Sequence, residues 1–135
     1  MVELVIVIAV IGILAAIAIP RFISIRSQAY TAQRDGTVGS VRAGIMLVAS
    51  QNQVAASPQA TTFPPNLEAT WGTMTGGNQQ TTATPCNTDD CFELVLNQPV
   101  SDPSWSQATA TTYTFAPPTG GTTTYTYTQA TGQFN

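Results

Sequence analysis

Residues 4–19 read LVIVIAVIGILAAIAI, an unbroken apolar run that begins directly after Glu3 and ends at Pro20-Arg21. Exposing such a run to water would cost tens of kcal/mol, at about 25 cal/mol for each Å² of apolar surface. The run therefore needs a membrane, a protein core, or each of them at different times. The rest of the chain must be organised around this requirement.

The charges around the run distinguish it from a removed signal peptide. A secretory signal carries its basic residues before the apolar stretch, whereas here Arg21 and Arg26 follow the stretch and Glu3 precedes it. A helix over residues 2–19 would rise about 27 Å at 1.5 Å per residue, close to the ~30 Å hydrocarbon core of a membrane. We therefore predict a retained helix of just spanning length. Glu3 either pairs with another charge in apolar surroundings or lies among lipid headgroups, favoured by the helix dipole.

The composition argues against enzymes and nucleic-acid-binding proteins. Charged residues make up only 8% of the 135 residues, and the chain has no His and no Lys. Nucleic-acid binding requires clustered cations, and the usual catalytic constellations cannot be assembled without His or Lys. No phosphate-binding loop or dinucleotide fingerprint is present. We predict a protein that is not an enzyme, with no catalytic residue, cofactor, metal site or nucleic-acid contact.

Residues 3–22, ELVIVIAVIGILAAIAIPRF, closely resemble the N-terminal segment of type IV pilins and of the related pseudopilins of type II secretion. The resemblance implies roles in subunit assembly for Glu3, Gly12, Pro20 and Phe22. In the family, the acid pairs with the N-terminal amine of a neighbouring subunit, and the stretch between Gly12 and Pro20 commonly loses helicity on assembly. An ordinary kink in a membrane helix is the alternative interpretation of Pro20, since proline removes one helical hydrogen bond.

The same resemblance implies partners and locations. A prepilin peptidase cuts the precursor after a glycine, the new N-terminus is methylated, and the subunit is held in the inner membrane until the pilus assembly machinery extracts it into an extracellular filament. Copies of the same chain are then the main partners. The family usually has four residues before the glutamate where this sequence has two, so we expect two residues of the mature protein to precede Met1.

After Ile25 the apolar pattern becomes one-sided. Apolar side chains recur at helical spacing and form a single stripe, made by Tyr30, Val38, Val41, Ile45 and Val48. This stripe predicts an amphipathic continuation of the helix to about residue 53, packed on the remainder of the chain. We therefore divide the helix into a hydrophobic part, residues 1–25, and an amphipathic part, residues 26–54. Gly39 and Gly44 in the second part are expected to serve packing.

Residues 55–91 are predicted to form a connecting loop, rich in Thr, Pro, Gly, Gln and Asn, in which Trp71 contacts the helix or the sheet. Cys86 and Cys91 are the two thiols of the chain, and a structural disulfide is favoured over a zinc site, which would need four ligands. Asp89 and Asp90 could coordinate calcium, but a solvated acidic turn is the preferred interpretation.

Residues 92–135 are predicted to form an antiparallel sheet of three to four strands. Residues 92–96 are taken as the first strand, while residues 111–115 and 123–128 alternate aromatic side chains with Thr, which is typical of half-buried strands. Residues 117–121 form the turn of a hairpin, and residues 133–135 return along it. The predicted core consists largely of aromatic side chains: Tyr113, Phe115, Tyr125, Tyr127 and Phe134.

The predicted fold class is therefore α+β, a long N-terminal helix that is kinked or partly melted between Gly12 and Pro20 and packs on a small sheet. The predicted function is that of the structural major subunit of a type IV pilus, a homopolymer. The absence of any acid after Asp102 favours a pilin over a major pseudopilin, which typically binds calcium near its C-terminal end. A type II secretion pseudopilin, or a single-span membrane protein with an outer binding domain, remains the alternative.

Overall fold

The first element of the chain is a single helix, α1 (Val2–Val54), which is 53 residues long. The computed structural model describes residues 1–54, 63–68, 84–86 and 91–135. Residues 12–20 are helical in the single subunit, with Pro20 inside the helix. The prediction of a partly melted stretch is therefore corrected for the isolated subunit, because the remaining backbone hydrogen bonds carry the helix past Pro20. Loss of helicity on assembly stays a prediction.

The amphipathic part of α1 buries the predicted stripe. Val38, Val41 and Ile45 lie in the core, while Tyr30 and Val48 are partly buried against it. These residues share one face because an α-helix repeats every 3.6 residues. The prediction from sequence is confirmed for this stripe. Among the described residues, it is the second half of α1 that packs on the sheet and its loops.

The sheet is antiparallel throughout and has the strand order β1-β2-β3-β4-β5. The strands are β1 (Thr84–Pro85), β2 (Trp105–Thr109), β3 (Thr112–Phe115), β4 (Thr123–Thr128) and β5 (Gln133–Phe134). The α+β class, the β3–β4 hairpin and the returning β5 are confirmed. Residues 92–135 hold four strands, as predicted, and among the described residues the two-residue β1 adds a fifth by pairing with β2.

The prediction of a first strand at residues 92–96 was wrong. The amides of Val95 and Leu96 both donate to the Phe92 carbonyl, at 3.2 and 2.9 Å, so the chain curls into a turn. Phe92 takes a left-handed backbone conformation, with φ 67°, which an extended strand excludes. Both Phe92 and Val95 are buried, since the turn can bury apolar side chains that do not alternate.

Strand β2 was not predicted, because its residues WSQAT lack a strong strand pattern. β2 is stabilised by its pairing with β3, in which Trp105 lies opposite Phe115 and Gln107 lies opposite Tyr113. Strand formation depends strongly on cross-strand neighbours rather than on intrinsic preference. β2 is thus defined by the partner strand and by the burial of Trp105.

Aromatic side chains fill the space between α1 and the sheet. Phe92 lies at the centre, with its ring centroid 4.5 Å from that of Tyr113 and 5.7 Å from those of Trp105 and Phe134. Of the predicted core, four side chains are buried (Tyr113, Phe115, Tyr127 and Phe134), and Tyr125 is partly buried. Such aromatic contacts compensate for the scarcity of Leu and Ile in this part of the chain.

Gly44 allows the 91–100 loop to contact α1 at backbone distance. A Cβ atom added to Gly44 would overlap the carbonyl oxygen of Val95, whereas a Cβ on Gly36 or Gly39 meets nothing within 4 Å. The packing role expected for Gly44 is therefore a contact within the subunit. Glycine is required at this one position of the helix because the loop leaves no room for a side chain.

We predict that Gly44→Ala and Gly36→Ala shift stability in opposite directions. Gly44→Ala should lower the free energy of unfolding by about 1–3 kcal/mol through overpacking. Gly36→Ala should raise it by up to about 1 kcal/mol, because alanine has the higher helix propensity. Urea unfolding of the detergent-solubilised chain, followed by tryptophan fluorescence, measures both. Shifts of the same sign would contradict the close contact at Gly44.

Candidate subunit-assembly site

The hydrophobic part of α1 projects away from the sheet. Every side chain from Met1 to Arg26 is exposed except that of Ala18, which is half-buried. Leu4, Ile13 and Ile17 each expose more than 60% of their surface. Exposed apolar surface on this scale marks a protein–protein or membrane contact. The subunit alone therefore leaves the main apolar segment of the chain unburied.

The four residues predicted to act in assembly all lie on this projecting segment. Glu3 lies in the first turn of α1, Gly12 has nothing within 4 Å of an added Cβ, and Phe22 is 70% exposed. Pro20 lies within the helix, two residues before Phe22. Among the described residues the fold brings none of the four into contact with the sheet, so any partner for these side chains must come from outside the described part of the subunit.

Length and composition make α1 able to cross a membrane. Within the described residues, it is one helix that is long and apolar enough to do so, and none of the residues in its most apolar window is buried inside the subunit. A helix of a soluble core would be mostly buried, and this window is not. Residues 4–19 need to be buried in a membrane or in a protein core. The single subunit does not bury them, so a membrane or neighbouring molecules must do so.

Comparison with known proteins identifies the family. The type IV narrow pilus major component PilA5 of Thermus thermophilus is 35% identical over 96 residues, which cover 70% of this chain and 82% of the relative. The chain belongs to the type IV pilins. No family model matches this pilin, and no solved structure matches it.

Side chains of α1 hold the sheet of the pilin on the helix. Arg42 donates from Nε to the carbonyl oxygen of Phe134 at 3.0 Å, so the last strand is tied to the amphipathic part of the helix. Gln33 donates from Nε2 to Oδ2 of Asp102 at 2.6 Å, which fixes the segment before β2. Together with the buried stripe, these bonds orient the sheet on one side of α1 and leave the projecting segment free of it.

The Cys86–Cys91 disulfide predicted from sequence is present. Cys86 donates its amide to the Trp105 carbonyl at 2.9 Å, while Cys91 and Val100 exchange two backbone hydrogen bonds of 3.0 and 2.8 Å. The bridge thus joins the end of β1 to the start of the 91–100 loop. Trp71, Asp89 and Asp90, which the sequence analysis singled out, lie outside the described residues.

The pilin contains a buried carboxylate that the sequence analysis did not identify. Glu68 is only 5% exposed, and its Oε1 accepts hydrogen bonds from the Phe92 amide at 2.8 Å and from the Tyr113 hydroxyl at 2.9 Å. Gln107 donates to the same hydroxyl at 3.3 Å. Because Glu68 lies in a polar connecting segment without a recognisable motif, no local signal predicts this network.

Burial controls the protonation of the groups in this network. Desolvation raises the pKa of Glu68 above its usual value, while the amide of Phe92 and the hydroxyl of Tyr113 oppose the rise by stabilising the carboxylate. The pKa of Tyr113 is raised as well, first by burial and then by the adjacent Glu68 charge.

Burial also raises the pKa of Tyr127, which lies outside this network, to about 12. The Tyr127 hydroxyl donates to the Pro64 carbonyl at 2.7 Å.

The Glu68 network joins three separate parts of the chain. Glu68 belongs to the 63–68 segment, Phe92 to the turn after the disulfide, and Tyr113 to β3. A further backbone bond, from the Leu94 amide to the Leu67 carbonyl at 3.1 Å, runs parallel to it. The carboxylate therefore acts as a structural acceptor that fixes the loops over the aromatic core, and it lies away from the projecting segment.

Proposed function

We propose that this pilin is the major subunit of a type IV pilus and polymerises through α1 into a helical filament with the sheet domain on the outside. The observation that carries the proposal is the exposed apolar segment of α1, with Glu3 as its acidic residue. Copies of this segment packed against one another would bury the surface that the subunit leaves exposed. The Thermus thermophilus relative, a major component of a narrow pilus, supports the same function.

Glu3 is proposed to set the register between subunits. In a filament core made of apolar helices, an unpaired carboxylate costs several kcal/mol, whereas a paired one favours a single axial position. The proposed partner is the N-terminal amine of a neighbouring copy. Gly12 and Pro20 bracket the stretch proposed to lose helicity during assembly, since each lowers helix stability, and the exposed ring of Phe22 is proposed to pack between neighbouring helices.

The same segment is proposed to hold the unassembled subunit in the inner membrane. Its span-like length and uniform apolarity favour insertion. The additional partners are a prepilin peptidase, which processes and methylates the N-terminus, and the assembly machinery that extracts the subunit. The final location is then extracellular, in the filament. The exposed, sparsely charged sheet domain agrees with such a location.

A filament reconstruction from cells that produce this chain tests the proposal. Shed fibres should have a core of α1 helices and side-chain density that follows the present sequence along residues 3–22. Mass spectrometry of the same fibres should identify this chain as the main component. Fibres built from another subunit, with this chain at trace level, would contradict the role of major pilin.

A further inference from the structure

The four arginines of the chain fall into two pairs with different surroundings. Arg34 forms an ion pair with Asp35 at 2.8 Å, and Arg42 donates to a backbone carbonyl of β5 at 3.0 Å. Arg21 and Arg26 are exposed, and neither forms a hydrogen bond or an ion pair with any described residue. Within the described residues, the fold therefore provides partners for the two arginines near the sheet but not for the two that follow the apolar run.

Arg21 and Arg26 lie at the level where lipid headgroups surround a membrane-spanning α1. Arg21 follows the apolar run at residues 4–19, whose length fits the ~30 Å hydrocarbon core of a membrane. Arg26 lies about 7.5 Å farther along the helix, and headgroups add about 5–7 Å on each side of the hydrocarbon. Both arginines therefore reach the headgroup layer, whereas Arg34, about 20 Å beyond Arg21, lies outside it.

The charge of this part of α1 is positive only. Residues 4–34 contain no Asp or Glu, and Asp35, the next acid along the helix, is already paired with Arg34. Two unpaired guanidinium groups therefore lie next to the membrane, although the whole chain has a net charge of −3. Cationic residues just outside a membrane attract anionic lipids. A zwitterionic lipid balances its own phosphate charge, so an anionic lipid is the complementary partner.

The chemistry of the guanidinium group fits the phosphate of a lipid headgroup. Its planar fork can donate two parallel N–H bonds to phosphate oxygens, and its long apolar stem can lie along the helix while the charge reaches the headgroups. The two arginines are five positions apart, which is about 140° around an α-helix. Arg21 and Arg26 therefore face different sides of α1, so each contacts a lipid molecule of its own.

We propose that Arg21 and Arg26 bind the phosphate groups of anionic phospholipids in the membrane that holds the unassembled subunit. This inference rests on the proposed function, which places residues 4–19 in the inner membrane before assembly. The apolar run holds the helix across the membrane, and the two arginines fix its depth by keeping residues 21–26 in the headgroup layer. Extraction into the filament then breaks these lipid contacts as well as removing the apolar run from the hydrocarbon.

Photocrosslinking of the full chain in lipid vesicles tests these contacts. The vesicles contain phosphatidylcholine and phosphatidylglycerol in equal parts, with a trace of either lipid carrying a photoreactive group near its headgroup. The wild type should crosslink to the phosphatidylglycerol probe about fivefold more than to the phosphatidylcholine probe, which is the preference that one arginine provides at an anionic surface. This preference should fall between about 50 and 500 mM salt, because salt screens exposed charges. Peptide mass spectrometry should place the crosslinks close to residues 21–26.

Charge variants assign the preference to the two arginines. Arg21→Gln combined with Arg26→Gln should crosslink to both probes equally. Arg21→Lys combined with Arg26→Lys should keep the preference, because an ammonium group also binds phosphate. The matched control is Arg42→Gln, which loses the same charge about 24 Å beyond Arg26 and should keep the wild-type preference.

Three outcomes would overturn the lipid contacts while leaving the proposed function intact. The first is equal crosslinking of the wild type to both probes, and the second is an unchanged preference in the double Gln variant. The third is a double Gln variant that keeps the lipid preference but forms no filaments, which would assign Arg21 and Arg26 to acids of neighbouring subunits. A wild-type chain that does not float with the vesicles in a density gradient would contradict the membrane-held stage of the proposed function itself, and the lipid contacts with it.

Discussion

Glu3→Ala is expected to abolish filaments while leaving the subunit in the membrane. In the proposed filament the carboxylate pairs with a neighbouring amine in apolar surroundings, and removing one partner of a buried pair costs about 3–5 kcal/mol. Because every subunit carries the change, the loss repeats at each addition. Counting surface filaments by electron microscopy and quantifying the subunit in the membrane fraction measure the two effects separately.

Matched variants separate charge from helix stability at this position. Glu3→Asp keeps the carboxylate and should retain filaments, whereas Glu3→Gln keeps the approximate shape and should lose them. Ser24→Ala, at another exposed position of α1 whose hydroxyl bonds only Gln28 at 3.3 Å among the described contacts, should assemble normally. Normal filaments from Glu3→Ala would indicate that α1 is a simple anchor and that Glu3 does not set the register.

Glu68→Ala is expected to lower the free energy of unfolding by about 2–5 kcal/mol. The substitution leaves the buried Phe92 amide and the Tyr113 hydroxyl without their acceptor, and each unsatisfied donor costs about 1–3 kcal/mol. Urea unfolding of the detergent-solubilised chain, followed by the near-ultraviolet signal of the aromatic core, measures the loss. Stability equal to that of the wild type would show that these hydrogen bonds do not hold the loops.

Glu68→Gln is expected to change the pH dependence of stability. Burial raises the pKa of Glu68 in the folded state, so the folded protein binds the proton more tightly than the unfolded chain does. The stability from this group is therefore fully present below its ordinary pKa and is lost as pH rises through the raised pKa. Gln does not ionise, so the stability of Glu68→Gln relative to the wild type should increase as pH rises through that range.

The control for both Glu68 variants is Asp35→Asn. Asp35 is 61% exposed and forms an ion pair with Arg34 at 2.8 Å, and exposed pairs contribute at most about 1 kcal/mol. Its replacement should therefore change the free energy of unfolding by less than either Glu68 variant. A difference between Glu68→Gln and the wild type that stays constant with pH would contradict a raised pKa at Glu68.

The described contacts divide the pilin into two parts with different tasks. The sheet, the 91–100 loop and the amphipathic half of α1 form a folded unit closed by the disulfide, the aromatic core and the Glu68 network. The first 26 residues contribute almost nothing to that unit, because their side chains are exposed. Replacing buried residues of the folded unit should therefore lower its stability, whereas replacing Glu3 in the first part should impair assembly and leave that stability unchanged.

Four features could be predicted from the amino-acid sequence: the long helix, its apolar first half, the buried stripe of its second half and the β3–β4 hairpin. Each depends on a local period, 3.6 residues for Val38, Val41 and Ile45 and 2 residues for the Tyr-Thr alternation. The resemblance carried by residues 3–22 also indicated the family correctly. These features could be predicted because the signal lies within one element.

Four other features became visible only in the folded subunit: the turn at residues 92–96, strand β2, the need for glycine at position 44 and the buried acceptor Glu68. Each depends on a partner far along the chain: Phe92 on Glu68, Trp105 on Phe115, and Gly44 on the Val95 carbonyl. Hydrogen bonds and close packing between distant segments leave no periodic trace in the local sequence. The structural role of a polar residue or a glycine at such a position can be recognised only when the fold shows which distant residue it contacts.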